Sequence, residues 1–249
     1  MLYILSPAGA ALRHVVELEA MQMEAPVERW RDMRVADHMI GSLRVCLETV
    51  QDFDPLLDRY AARYPDDTDM IPYYATLWPS ALALARHLAE FPSSLQSVRV
   101  VELGCGLGLP SIVAALRGAV VLATDFHPDN APYVARNADL NGVALRYSTL
   151  RWGDPVAEAP FELVLCSDVL YERRHVAALV ECAAACCAPG GAILLADPGR
   201  DALASAARAL RERGFVEDLV AVDNVFLLHF KRPLVTEVSA AVGSQTPRD

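Results

Sequence analysis

The chain has 249 residues, 53% of them hydrophobic, and a formal net charge of −10. That length and apolar fraction suit one large domain with a sizeable core and exclude a disordered chain. The acidic balance argues against sequence-independent nucleic-acid binding and against docking on anionic membranes, because both draw on surplus Lys and Arg.

Residues 1–75 read as an N-terminal extension. Met1 to Leu12 is mildly apolar, but it lacks a basic start and is interrupted by Pro7, so it does not read as a secretory signal. Between Val27 and Val50 short β-like runs surround Ile40-Gly41-Ser42, which predicts a hairpin. Asp54-Pro55-Leu56-Leu57 predicts a helix start, with Asp54 as cap and Pro55 in the first turn. Trp78-Pro79-Ser80 opens a further helix that ends near Glu90.

From Val98 the rhythm becomes strand, turn, helix, strand. Strands are predicted at Val98–Val101, Ala119–Leu122, Leu145–Tyr147, Phe161–Cys166 and Ala192–Ala196. Helices are predicted over Pro110–Arg117, over Pro128–Leu140 with Asn141-Gly142 as its stop, between the fourth and fifth strands up to Pro189-Gly190-Gly191, and over Asp201–Arg213 ahead of Gly214. Phe215–Val222 and Val225–Phe230 close the chain as a strand pair, read as supplying one antiparallel edge strand. Continuous apolar strands alternating with helices predict an α/β fold: a doubly wound, mostly parallel seven-stranded sheet covered on both faces. The chain divides into residues 1–75, a main domain over 76–232, and a flexible tail over 233–249 without apolar periodicity.

No run of 18 apolar residues exists, so no membrane span is expected. The six cysteines (46, 105, 166, 182, 186 and 187) show no C-x-x-C spacing and no accompanying His pair. A zinc site is therefore not expected; Cys182, Cys186 and Cys187, in an Ala-rich helical stretch, read as small buried hydrophobes, and reduced thiols suit a cytoplasmic protein.

The chemistry centres on Val101-Glu102-Leu103-Gly104-Cys105-Gly106-Leu107-Gly108, between a strand and a helix. Glycines there permit a tight turn and close approach of a ligand, and the helix N-terminus offers free N–H groups. The dinucleotide fingerprint is G-x-G-x-x-G, but position 109 is Leu. The pattern serves a pyrophosphate poorly and a smaller zwitterionic ligand better. Glu102 then faces an amino group, or else is a capping or solvated carboxylate. Asp125 ends the second strand 21 residues after Gly104. It suits the two hydroxyls of a ribose, or a cap for the helix from Pro128, and the two roles are compatible.

Together these residues resemble the class I, seven-stranded methyltransferases that depend on S-adenosylmethionine (SAM). Trp78-Pro79-Ser80-Ala81, Glu102 to Ile112, Trp152-Gly153 and Ser167-Asp168-Val169-Leu170-Tyr171 are similar to the branch of protein-lysine methyltransferases marked by a D-x-x-Y motif. Ile71-Pro72-Tyr73-Tyr74 and Asp197-Pro198-Gly199-Arg200 resemble the subgroup that modifies the electron-transfer flavoprotein β-subunit, a subgroup also labelled nicotinamide N-methyltransferase-like. The resemblance implies SAM as cofactor and the lysine of a protein substrate as acceptor. By position it places Trp78 and Trp152 beside the adenine and methionine portions, Gly104, Cys105 and Gly106 along the methionine, Asp125 on the ribose, and Ser167 near the sulfonium, with Glu102 and Gly108 also in the cofactor set. Asp168 and Tyr171 would border the acceptor, with Asp168 orienting the amine or taking its proton. One position departs from the pattern: Arg151 stands where relatives often carry an acidic residue before the tryptophan.

The residues also admit plainer roles. Asp168 suits a cap for a helix beginning near Glu172, Tyr171 suits packing, and Trp152 suits the core. His127 reads as a loop residue and His175 as an exposed helix position. The competing functions are a small-molecule N- or O-methyltransferase, a non-catalytic SAM-binding or partner-binding module, and an NAD-dependent oxidoreductase. Leu109 and the lack of a hydride-handling Tyr-Lys pair speak against the last.

Overall fold

A computed structural model describes residues 32–222 and 224–234. The readings for Met1–Leu12 and for the tail from 235 onward lie outside the described residues. Strands β1 (Met33–Ile40) and β2 (Leu43–Val50) form an antiparallel hairpin turning at Gly41-Ser42, with Gly41 at φ +58°. Helix α1 (Phe53–Arg63) follows, and its cap is Asp52, whose carboxylate accepts the Asp54 N–H at 3.2 Å. The predicted cap, Asp54, lies one step inside the helix. Pro79 has no N–H to leave unpaired and starts α2 (Pro79–Ala89).

The main domain runs β3 (Arg99–Leu103), α3 (Leu109–Leu116), β4 (Val120–Asp125), α4 (Ala131–Leu140), β5 (Arg146–Thr149), β6 (Phe161–Ser167), α5 (Val176–Cys186), β7 (Cys187–Asp197), α6 (Asp201–Glu212), β8 (Val216–Val222) and β9 (Val225–Lys231). Its seven strands lie in the order β5-β4-β3-β6-β7-β9-β8. All neighbours are parallel except β9, which runs antiparallel to both β7 and β8. The antiparallel strand is therefore interior, not the edge strand the sequence suggested. The reason is apolarity: β9 buries Leu227, Leu228 and Phe230, whereas β8, at the edge, exposes Val216 and Leu219. Helix α5 also stops earlier than expected. Cys187 already pairs with Phe161 in the sheet, and Pro189 and Gly190 lie within β7.

Helices α2, α3 and α4 cover one face through Leu84, Leu88, Ile112 and Val134. Helices α5 and α6 cover the other through Leu179, Val180, Leu203 and Leu210. Asn137 on α4 and Asn141, the residue that ends the helix, hold the hairpin to this layer. Asn137 Oδ1 accepts the Glu48 N–H and Asn141 Oδ1 the Cys46 N–H, each at 2.8 Å, and both amide nitrogens donate back to the carbonyls of the same β2 residues. The side-chain amides thus act as a surrogate strand along an otherwise open edge.

Chain order reverses between β3 and β6, which leaves a crevice at the carboxyl ends of the central strands.

Candidate active site

The glycine turn leaves β3 with Gly104 at φ +74°, Gly106 at +50° and Gly108 at +78°, all left-handed. The N–H groups of Gly104 and Cys105 donate to the Thr124 carbonyl on β4 at 2.9 and 2.8 Å, so the turn is fastened to its neighbour strand. Glu102 is fully buried behind it. Its Oε2 accepts the Ser111 N–H at 3.0 Å and the Ser111 hydroxyl at 2.5 Å, in the first turn of α3. Burial pushes its pKa up to about 8, against the two Ser111 hydrogen bonds. Glu102 therefore closes the turn onto α3 and does not line the crevice.

The crevice holds a cavity of about 390 Å³. Of the residues assigned to the cofactor, Trp78, Gly104, Gly106, Asp125, Trp152 and Ser167 line it, and so do Asp168 and Tyr171. Glu102, Cys105 and Gly108 are not among the lining residues. Cys105 is buried, with its sulfur 3.7 Å from Asn130 Nδ2, and Gly108 carries the turn into α3.

Asp125 lies at the end of β4 with one backbone N–H on each carboxylate oxygen, from His127 to Oδ1 at 3.0 Å and from Gly106 to Oδ2 at 2.9 Å. Burial raises its pKa while those amides pull it down. A carboxylate has about four acceptor sites, so acceptor capacity remains for hydroxyls in the cavity. Asp125 does not cap α4, which begins at Ala131 behind Asn130. Beside it the Arg151 guanidinium stacks on the Phe126 ring at 4.3 Å, and both side chains line the cavity.

His127 lies in the loop between β4 and α4, as its sequence position suggested, but it is buried there. Its Nδ1 accepts the Asp129 N–H at 3.1 Å, and its Nε2 lies 3.4 Å from the Met70 carbonyl, which together define a neutral ring. The ring packs on Tyr74 at 4.5 Å and Tyr60 at 5.3 Å, and burial lowers its pKa to about 4.

Asp168 adopts φ +56°, unusual for a residue with a side chain. Its Oδ2 accepts the Ser80 N–H at 2.8 Å, and its Oδ1 pairs with Arg200 Nη1 at 2.9 Å. It thus caps α2, 88 residues earlier in the chain, and not the segment after Glu172. Aromatic rings line the approach: Tyr73 lies 5.9 Å from Trp78 and 5.3 Å from Tyr171, and Trp152 lies 6.2 Å from His175. At the mouth Asp69, Glu172 and His175 place ligand-type atoms within 4.8 Å of one another. The Arg174 guanidinium already binds both carboxylates, so the cluster is an ion-pair bridge between the two walls. Position in sequence gave no cue to Asp69, which enters the site through contacts with residues more than 100 positions away, and Phe126, directly after Asp125, carried no motif of its own. For Arg200 the D-P-G-R run after the fifth strand was the available signal.

A family described as lysine methyltransferase matches residues 70–210 of the chain. The chain is 34% identical over 132 residues to the electron transfer flavoprotein beta subunit lysine methyltransferase of Danio rerio, covering 52% of this chain and 51% of that protein. It is 32% identical over 133 residues to the protein N-lysine methyltransferase METTL21A of Danio rerio, covering 50% and 61%. The chain thus spans about half the length of the first of these relatives. Among solved structures, a 16S rRNA methyltransferase of T. thermophilus, held with AdoMet and guanosine, superposes with a TM-score of 0.61 at 18% identity, covering 84% of this chain and 53% of that one. At that identity the likeness is one of fold.

Proposed function

The chain belongs to the lysine methyltransferase family, and from that membership we propose that it transfers a methyl group from SAM to a lysine side chain of a protein. The observation that carries this reading is the single cavity that joins the glycine turn and Asp125 to the aromatic walls around Tyr171.

The lining suits SAM. Gly104 and Gly106 bring bare backbone to the cavity for the aminoacyl portion. Asp125 keeps acceptor capacity for ribose hydroxyls, and Phe126 and Trp152 supply flat apolar surface for a purine. The bound cofactor would supply a methyl group already activated by a positively charged sulfur. What remains for the chain is alignment of the acceptor, worth about 7–11 kcal/mol in well-oriented systems.

Tyr73, Trp78 and Tyr171 would enclose the aliphatic stem of the incoming lysine. Lysine attacks as the neutral amine, and partial removal from water lowers its pKa from about 10.4. Both Asp168 oxygens already have partners, so Asp168 suits the orienting of the amine better than the uptake of its proton. Asp69, Tyr73 and Tyr74 line the cavity from residues 32–75, which supports that segment as the acceptor-side wall of the 76–232 domain. All six cysteines are free, which supports a reducing, cytosolic setting.

The test is incubation of the purified chain with cell lysate and SAM labelled in the methyl group, followed by acid hydrolysis. Label recovered in methylated lysine is the expected outcome. Label recovered only in other residues or in small molecules would remove the lysine reading.

A further inference from the structure

Arg200 lines the cavity and serves no part of the cofactor assignment above. Its Nη1 lies 2.9 Å from Asp168 Oδ1 and 2.7 Å from Asp197 Oδ2. Asp197 is fully buried at the end of β7, and its Oδ1 accepts the N–H groups of Gly199 and Arg200 at 2.8 and 2.7 Å. The second oxygen of Asp168 holds Ser80 N–H in the first turn of α2. One guanidinium nitrogen therefore ties together the starts of three segments: helix α2, the loop after β6 and the loop after β7.

The electrostatics give this arrangement direction. Asp168 and Asp197 are both buried, and the Arg200 cation between them offsets the repulsion of the two carboxylates. With it, the three groups sum to one net negative charge beside the aromatic walls. An acidic acceptor would meet two carboxylates against one arginine, so the cluster favours a cation. The backbone sharpens the point. Asp168 sits at φ +56° and is followed directly by Val169, which packs on Gly104, and then by Tyr171.

We propose that Arg200 is a positioning residue for the acceptor nitrogen: by bridging Asp168 to Asp197 it fixes the Asp168 carboxylate at the floor of the cavity, where the lysine amine of the substrate meets it. Arg200 acts through Asp168 and touches neither methyl donor nor acceptor. A lysine at this position restores the charge on a single nitrogen, but on a shorter and more flexible stem.

The proposal rests on the reading of the cleft as a SAM site, and binding measurements separate the two. Two probes are titrated by calorimetry: S-adenosylhomocysteine, and an analogue in which nitrogen replaces the sulfur and carries an aminobutyl arm in place of the methyl. The proteins are the full chain, Arg200→Met, Arg200→Lys, Asp168→Asn and the double variant, each checked by thermal melt. The expected result for Arg200→Met is a loss of about tenfold for the aminobutyl analogue, with S-adenosylhomocysteine within about twofold. Arg200→Lys recovers part of the loss, and Arg200→Met adds nothing once Asp168 is Asn. Equal weakening of both probes would make Arg200 a general support of the fold and overturn the proposal. Unchanged affinity for the analogue in Arg200→Met would overturn it as well. Failure of the unaltered chain to bind either probe would bring down the cleft reading itself, and this inference with it.

Discussion

A Cβ built on Gly104 would lie 2.6 Å from Cγ1 of Val169, closer than real side chains approach. The glycine that opens the turn after β3 is thus pressed against the residue that follows Asp168 after β6. The two halves of the cleft, from strands adjacent in the sheet whose paired residues are 63 positions apart in the chain, are fitted to each other at this contact.

Gly104→Ala combines that clash with a left-handed backbone at φ +74°. The expected cost is about 2–4 kcal/mol in denaturant unfolding, with loss of S-adenosylhomocysteine binding. Adding Val169→Ala relieves the clash but not the backbone strain, so stability should return in part. Full stability in Gly104→Ala alone would show that the two loops are not pressed together.

Asp125→Asn keeps a carbonyl oxygen for one of the two backbone N–H groups and removes the charge, while Asp125→Ala leaves both the Gly106 and His127 amides without their acceptor. Calorimetric affinity for S-adenosylhomocysteine is expected to fall about tenfold in Asn and about a hundredfold in Ala, from lost charge-assisted hydrogen bonds of about 1.5–3 kcal/mol each. Equal, small losses in both variants would place the ribose elsewhere.

Much of this fold was legible in the sequence because the local signals agree. Val100-Val101, Val121-Leu122 and Leu163–Leu165 are unbroken apolar runs, as strands buried on both faces require, and Gly or Pro stands near most of the turns. What was not legible depended on faces and distances. Glu102 sits two residues before Gly104, and spacing alone does not say that its side chain turns toward Ser111 and α3 instead of the cavity. Asp168 reads as a cap for whatever helix follows it, yet it caps α2, formed far earlier in the chain. The bridge from Arg174 to Asp69 spans 105 positions and has no local pattern at all.

His127 joins residues 60–74 to the main domain as a neutral ring, which makes that junction acid-sensitive. Its pKa falls from 6.5 to about 4 on folding, so the unfolded chain takes up the proton first as pH drops. The stability it contributes is therefore full above about pH 6.5 and lost as pH falls toward 4. Those two to three decades of proton affinity correspond to about 3 kcal/mol. His127→Phe keeps a ring against Tyr60 and Tyr74 but gives up the hydrogen bonds, so it should be less stable than the unaltered chain at pH 7.5. That gap should shrink or reverse by pH 5 in urea unfolding. A gap independent of pH would mean that His127 does not titrate as its burial requires.

Glu102 carries the opposite sign. Burial raises its pKa from 4.5 to about 8, so the folded chain holds a proton that the unfolded chain has already released. Stability from this group is full below about pH 4.5 and is lost as pH rises through 8, by a span on the order of 5 kcal/mol. Glu102→Gln keeps the shape and the Ser111 contacts of the protonated acid. It should resemble the unaltered chain near pH 5 and become the more stable of the two near pH 9. A parallel pH dependence in the two proteins would show that Glu102 is ionised in the fold at neutral pH. The same variant also decides the role of the side chain. A buried brace behind the glycine turn predicts S-adenosylhomocysteine affinity within about threefold of the unaltered chain at pH 6, a difference smaller than one lost charged hydrogen bond. A loss of tenfold or more would mean that Glu102 reaches the amino group of the ligand after all, as its spacing from Gly104 first suggested.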